Sequence, residues 1–129
     1  LGSRLESLTK NYGVQIIVSE FTKAQVPDFA YRELDNVRVK GKDKPVAIFE
    51  PICEEAQLDK DTKDNLKLYR EALKLYRSQS WDLAEIHLIN LQKLEPQRYV
   101  YEMYIKRIAY FRANPPGSDW DGVFNFETK

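Results

Sequence analysis

Residues 29–52, FAYRELDNVRVKGKDKPVAIFEPI, decide how the rest of the chain is read. Phe29 to Lys40 carries the aromatic and β-branched residues of a strand. The alternation is imperfect, since Leu34 is out of phase with Val37 and Val39, and this predicts a bulge near Asp35. Gly41 to Pro45 reads as a turn and Val46 to Ile52 as the returning strand. Ala47 and Phe49 are apolar as well as Val46 and Ile48, so the second strand is expected to be covered on both faces.

Upstream, Leu1, Leu5, Leu8 and Tyr12 recur at helical spacing, and Gly13 follows as a C-terminal cap. Leu1 is not a methionine and already sits inside that periodicity, so the chain reads as a piece of a longer protein. Val14 to Val18 is a short β-type run. Ser19 is placed to N-cap a second short helix reaching about Ala24, before Pro27 stops it.

Downstream the period changes. Glu54 to Asp61 is a polar, acidic connector. From a cap at Asp61 or Thr62, a helix is expected to about Gln79, with Leu66, Tyr69, Leu73 and Tyr76 on one face. Trp81 to Leu94 and Arg98 to Ala113 follow as second and third helices, ended by Pro96 and by the run Asn114-Pro115-Pro116-Gly117. The tail from Ser118 to Lys129 carries Trp120, Val123, Phe124 and Phe126. Such a tail is expected to dock rather than float.

The 129 residues are 43% hydrophobic and 12% aromatic, enough for a packed interior. Twenty Lys and Arg balance twenty Asp and Glu, so charge gives no reason to expect nucleic acid or an anionic membrane. Cys53 is the single cysteine, which forbids an internal disulfide and suits a reducing setting. No apolar run approaches the roughly 20 residues of a membrane span, and no signal peptide is legible. Asp59, Asp61 and Asp64 resemble a calcium loop only briefly: Lys63, Asp64 and Arg70 fall where a ligand, the glycine and the bidentate glutamate belong. His87 stands alone, without a second histidine or cysteine for a metal. Tyr69, Tyr76, Tyr99, Tyr101, Tyr104 and Tyr110 read as helix-packing residues before they read as a ligand groove.

Several short stretches taken in order carry a resemblance. They are Ser3-Arg4-Leu5-Glu6, Tyr12-Gly13, Ile17-Val18-Ser19-Glu20, Arg32-Glu33-Leu34-Asp35, Val39-Lys40-Gly41-Lys42 and Pro45-Val46-Ala47-Ile48-Phe49-Glu50. Together they are similar to the end of class III nucleotidyl cyclase catalytic domains, over about the first fifty residues. Ala72, Ala84 and Pro96 resemble the small-residue and proline positions of a tetratricopeptide repeat. A helical extension ending in Trp120-Asp121-Gly122 resembles that of bacterial membrane-anchored cyclases with an extracellular sensor.

The resemblance implies an α+β chain. Residues 1–53 would be a small antiparallel β remnant of the ferredoxin-like cyclase domain, and residues 54–129 a helical-hairpin, repeat-like module with an aromatic tail. It implies adenylate cyclase activity for the intact parent, with guanylate specificity as the alternative. In the family, ATP closes to 3′,5′-cyclic AMP and pyrophosphate with two ions, Mg²⁺ or Mn²⁺. Arg4 occupies the position of the arginine that stabilises the transition-state phosphate. Lys40 occupies that of a lysine contacting the triphosphate. On their own residues, Arg4 is a surface arginine beside an apolar stripe and Lys40 a hairpin-tip cation guarding a sheet edge. The metal-binding aspartates belong to earlier parts of the family's domain. This piece alone is therefore expected to bind no metal and to be inactive. The parent is expected to be a homodimer of catalytic domains at the cytoplasmic face of a membrane it is anchored in, with no membrane contact by this piece. A second reading makes the chain a non-catalytic interaction module.

Overall fold

The computed structural model describes residues 7–39 and 44–126. The chain divides into two compact units. One is built on the chain up to Asp59 together with the tail from Val123, and the other is Lys60–Gly122. The class is α+β, as the change of period implies.

Among the described residues, the first unit has a four-stranded sheet, two short α-helices and a 3-10 turn at Glu55–Gln57. Helix α1, Thr9–Tyr12, ends at Gly13, whose φ of 67° is the left-handed conformation and whose N–H donates to the Thr9 carbonyl. Strand β1 is Val18–Ser19, so only the end of the apolar run from Val14 pairs. Ser19 then caps helix α2, Glu20–Gln25, its hydroxyl accepting the Thr22 N–H at 3.2 Å.

Strands β2, Phe29–Val39, and β3, Val46–Glu54, form a long antiparallel hairpin. The expected bulge is present: Glu33 pairs with Phe49 and Asp35 with Ile48, leaving Leu34 as the extra residue. Its effect is a change of phase. Ala30, Arg32 and Leu34 are buried before it, and Asp35 and Val37 after it. One inserted residue thus turns the second part of the strand so that both parts bury side chains. A second irregularity skips Ile52 beside Pro51, which has no N–H to give the ladder. On β3, the neighbours Ile48 and Phe49 are both buried, so both faces are covered at that point.

The sheet order is β1-β3-β2-β4. Strand β4, Phe124–Phe126, lies parallel to β2, with Val37, Arg38 and Val39 opposite Phe124, Asn125 and Phe126. The antiparallel sheet expected from the sequence is therefore completed by one parallel strand from the tail. Parallel neighbours need a long crossover, and here that connection contains the whole helical unit.

The second unit has three helices: α3, Lys60–Arg77; α4, Trp81–Leu94; and α5, Tyr99–Ala113. Ala72 and Ala84 are fully buried, where small side chains allow α3 and α4 to approach. Tyr69, Tyr76, Tyr101 and Tyr104 are buried, whereas Tyr99 and Tyr110 are exposed. Tyr76 is the hub of an aromatic cluster. Its ring centroid lies 4.9 Å from Tyr104, 5.4 Å from Trp120 and 5.7 Å from Trp81, in the edge-to-face geometry aromatic rings favour. Arg107 reaches the same cluster, its Nη1 donating to the Tyr76 hydroxyl at 3.4 Å and its guanidinium lying 5.1 Å from the Tyr104 centroid.

Overfilling the helical unit identifies its tightest point. Ala84→Leu is expected to lower stability by about 1–3 kcal/mol, while the exposed Ile86→Ala changes it by no more than about 0.5 kcal/mol. Urea unfolding measures both. Equal effects from the two substitutions contradict the placement of Ala84 in the packed interior.

Candidate functional site

Polar groups buried inside the sheet unit define the candidate site. Tyr12, at the end of α1, and Asp35, just past the bulge of β2, are both fully buried. The Tyr12 hydroxyl donates to Asp35 Oδ2 at 2.6 Å, and the Asn36 backbone N–H donates to Asp35 Oδ1 at 2.8 Å. Each oxygen of the carboxylate therefore has a donor, which is what a carboxylate out of water requires. Three residues before Asp35 on β2, Arg32 meets its cross-strand partner Glu50, with Nη1 2.8 Å from Oε1; Arg32 is buried and Glu50 partly exposed. The two polar pairs fix a helix end and a strand pair to one another by directional bonds that hydrophobic packing alone does not supply.

Arg4 and Lys40, the two positions to which the family resemblance gives roles, lie outside the described residues. The structure does place their chain neighbours. Tyr12 follows Arg4 by eight residues, and Asp35 precedes Lys40 by five. The Tyr12–Asp35 bond thus joins the segment that follows Arg4 to the strand that leads to Lys40. Of the alternating cations near the turn, Arg38 donates from Nη1 to Asn125 Oδ1 at 2.8 Å across the β2–β4 edge. Lys44 is exposed, and Lys42 lies outside the described residues.

Sequence reasoning passed over Tyr12, Arg32, Asp35 and Glu50 as site-shaping groups. The available signal was the phase shift at Leu34, which moves Asp35 into line with the inward row of the strand.

Among the described residues no group of three or more His, Cys, Asp and Glu side chains is placed to hold a metal ion. The described residues therefore do not fit the ions of the resemblance. His87 is half-buried and has no hydrogen-bond partner at Nδ1, but no second ligand stands with it. Cys53 is a free thiol. No described helix is long and apolar enough to cross a membrane. In the helical unit, an open groove of about 340 Å³ is lined by Gln79, Ser80, Trp81, Asp82 and Leu83. Nearby, Arg112 binds Glu85 at 2.8 Å and Asp82 at 2.6 Å. The hydrogen bond to Glu85, foremost, raises its pKa above the ordinary arginine range. This clamp ties the end of α5 to the start of α4.

Comparison with known proteins gives a consistent result. The chain is 30% identical, over 112 residues, to the terminal-differentiation-specific adenylate cyclase of Dictyostelium discoideum. The match covers 83% of this chain but only 5% of that protein. It is longer than the sheet unit, so it runs into the helical unit as well. No protein-family description matches the chain, and no solved structure matches it. The chain is therefore related to a region of an adenylate cyclase.

The buried carboxylate gives a direct test. Tyr12→Phe keeps the ring and removes one donor from Asp35, so it is expected to cost about 1.5–3 kcal/mol, the range for a hydrogen bond to a charged partner. Denaturant unfolding measures the loss. A variant as stable as the parent chain shows that this bond does not hold α1 against β2.

Proposed function

We propose that this chain is the closing part of a class III adenylate cyclase catalytic domain and its helical extension. In that role it supplies Arg4 and Lys40 to the cyclisation of ATP. The observation that carries the reading is the similarity to a curated adenylate cyclase across both units. The Tyr12–Asp35 bond is compatible with it, since it joins helix α1, which follows Arg4 in the sequence, to strand β2, which precedes Lys40.

In this reaction the 3′-oxygen of ATP attacks the α-phosphorus. A new O–P bond forms, the bond from the α-phosphorus to the bridging oxygen breaks, pyrophosphate leaves, and the 3′-hydroxyl gives up its proton. Negative charge grows on the α-phosphate and on the leaving group. A guanidinium aimed at that charge acts mainly in the transition state. The triphosphate is charged before the reaction as well, so an ammonium on a flexible stem contributes to ATP binding from the start. Arg4 takes the first role and Lys40 the second. The ions such chemistry uses would be held by residues outside the described ones, and no role in holding them is given to this chain.

Adenylate is preferred to guanylate as substrate because the curated relative is named an adenylate cyclase. That relative comes from Dictyostelium discoideum, so similarity to this chain is not confined to bacterial cyclases. A homodimeric, membrane-anchored parent with its catalytic domains at the cytoplasmic face belongs to the same proposal and rests on the family resemblance. The helical unit also favours a scaffolding role alongside, since Leu83, Ile86 and Leu94 leave an exposed apolar strip on α4.

Steady-state kinetics of the intact protein separate the two cations. Arg4→Ala is expected to lower kcat about a hundredfold to a thousandfold with little change in KM for ATP. Lys40→Ala is expected to raise KM with a smaller loss of kcat. Near-normal turnover in the Arg4 variant contradicts its assigned role.

A further inference from the structure

Helix α4 buries one face and leaves an apolar one uncovered. Ala84, Leu88 and Leu91 are buried in the helical unit, whereas Leu83, Ile86, Ile89 and Leu94 are exposed. The outer face of a surface helix is ordinarily charged or polar. This one carries four aliphatic side chains, framed by Asp82 near its start and Lys93 near its end. A contiguous apolar strip with a polar rim marks a contact surface.

The spacing along that face says what fits it. Asp82, Ile86, Ile89 and Lys93 follow at intervals of four, three and four residues, the heptad spacing of a helix–helix seam. Their order is self-complementary. Laid antiparallel on a second α4, Ile86 of each copy falls opposite Ile89 of the other, and Asp82 of each opposite Lys93 of the other. Leu83 and Leu94 lie to one side of the seam, where Leu83 of one copy comes beside Leu94 of the second. A two-fold axis makes every contact twice. A parallel pair would instead set Asp82 against Asp82 and Lys93 against Lys93, so charge selects the antiparallel arrangement.

The surroundings of the two end charges agree with this. Arg112 binds both Glu85 and Asp82, so these three groups together carry one net negative charge. The Asp82 side chain nevertheless stays 93% exposed, which leaves it open to a further cation. At the other end Glu95 and Arg98 pair with each other at 3.7 Å, and Lys93 is exposed. A helix that lies on an anionic membrane carries a basic polar face. The strip on α4 is bracketed by one charge of each sign, which suits a copy of itself and not a lipid surface.

We propose that the outer face of α4 is a self-association surface, on which a second copy of this chain docks its own α4 antiparallel. The proposal gives the scaffolding role of the helical unit its partner and rests on that role, not on the chemistry of cyclisation. A seam of six side chains a copy is well short of the roughly 20–30 residues a side of a standard interface. The pairing is therefore weak, with a dissociation constant of about 10–100 µM. It gains strength wherever another contact already holds two copies together.

Sedimentation velocity of the 129-residue chain, from about tenfold below that range to about tenfold above it, tests the proposal. The chain is expected to pass from monomer to dimer. Asp82→Lys and Lys93→Glu each put like charges at both ends of the pair, and each is expected to weaken dimerisation about five- to thirtyfold. Mixed in equal amounts, the two variants face each other with opposite charges and are expected to form a mixed dimer about as tight as the parent's. Ile86→Asp sets a carboxylate in the middle of the seam and is expected to abolish the dimer. Circular dichroism checks that this variant keeps its helices; if it does not, the two charge variants decide. A chain that stays monomeric throughout overturns the proposal and leaves the strip to a different protein. A dimer that survives a folded Ile86→Asp assigns association to another surface and overturns it equally. Charge variants that dimerise as the parent does, or a mixture that recovers nothing, overturn the antiparallel pairing. None of these readouts involves ATP, so failure here leaves the proposed function standing, and failure of the cyclase reading leaves this test intact.

Discussion

The sheet unit depends on the hydrogen bond from the Tyr12 hydroxyl to the buried Asp35 carboxylate. A carboxylate with no access to water is costly unless its oxygens are satisfied, so Asp35 accepts only an arrangement in which α1 ends against the bulge of β2. The bulge is what makes the arrangement possible. In a regular strand Asp35, three positions after Arg32, would fall on the opposite face; the bulge at Leu34 returns it to the inward row. A backbone irregularity and a polar bond are thus two parts of one constraint, and together they fix how the helix end meets the hairpin.

Under the proposed function, that constraint would also bear on the chemistry. Cyclisation of a nucleoside triphosphate needs cations aimed from separate parts of the chain at one group of phosphates, and misplacement by about 1 Å can cost a hundredfold in rate. Arg4 and Lys40 lie far apart in sequence, on either side of the Tyr12–Asp35 bond. Leu8, Val37 and Ile48 are buried and contribute apolar packing to the sheet unit, but such packing tolerates sliding in a way that a directional bond to a buried carboxylate does not. The tail adds a second restraint at the other edge of β2, where Asn125 holds Arg38.

Much of this was legible in the sequence because local rules govern it. Gly13 ends α1 in the left-handed conformation, Ser19 caps α2, and Leu34 breaks the alternation of β2 as its phase requires. The bounds of α4, Trp81 to Leu94, follow from its apolar period and from Pro96. What was not legible depends on contacts distant in sequence. Tyr12 and Asp35 are separated by 23 residues and Arg38 and Asn125 by 87, and no local pattern announces either pair. The tail was expected to dock from its apolar content, but a three-residue strand carries no periodicity that separates parallel pairing from packing against a helix. Arg4 and Lys40 came from family resemblance, since an arginine beside an apolar stripe and a lysine at a hairpin tip are ordinary surface residues by pattern alone.

The central claim is that the chain completes the catalytic domain of an adenylate cyclase and is not catalytic alone. Cyclic AMP formation from ATP in the presence of Mn²⁺, measured side by side for the intact protein and for residues 1–129, addresses it directly. The account expects cyclic AMP from the intact protein and none from the isolated chain. An intact protein that folds and binds ATP yet forms no cyclic nucleotide, or an isolated chain that does form it, contradicts the account.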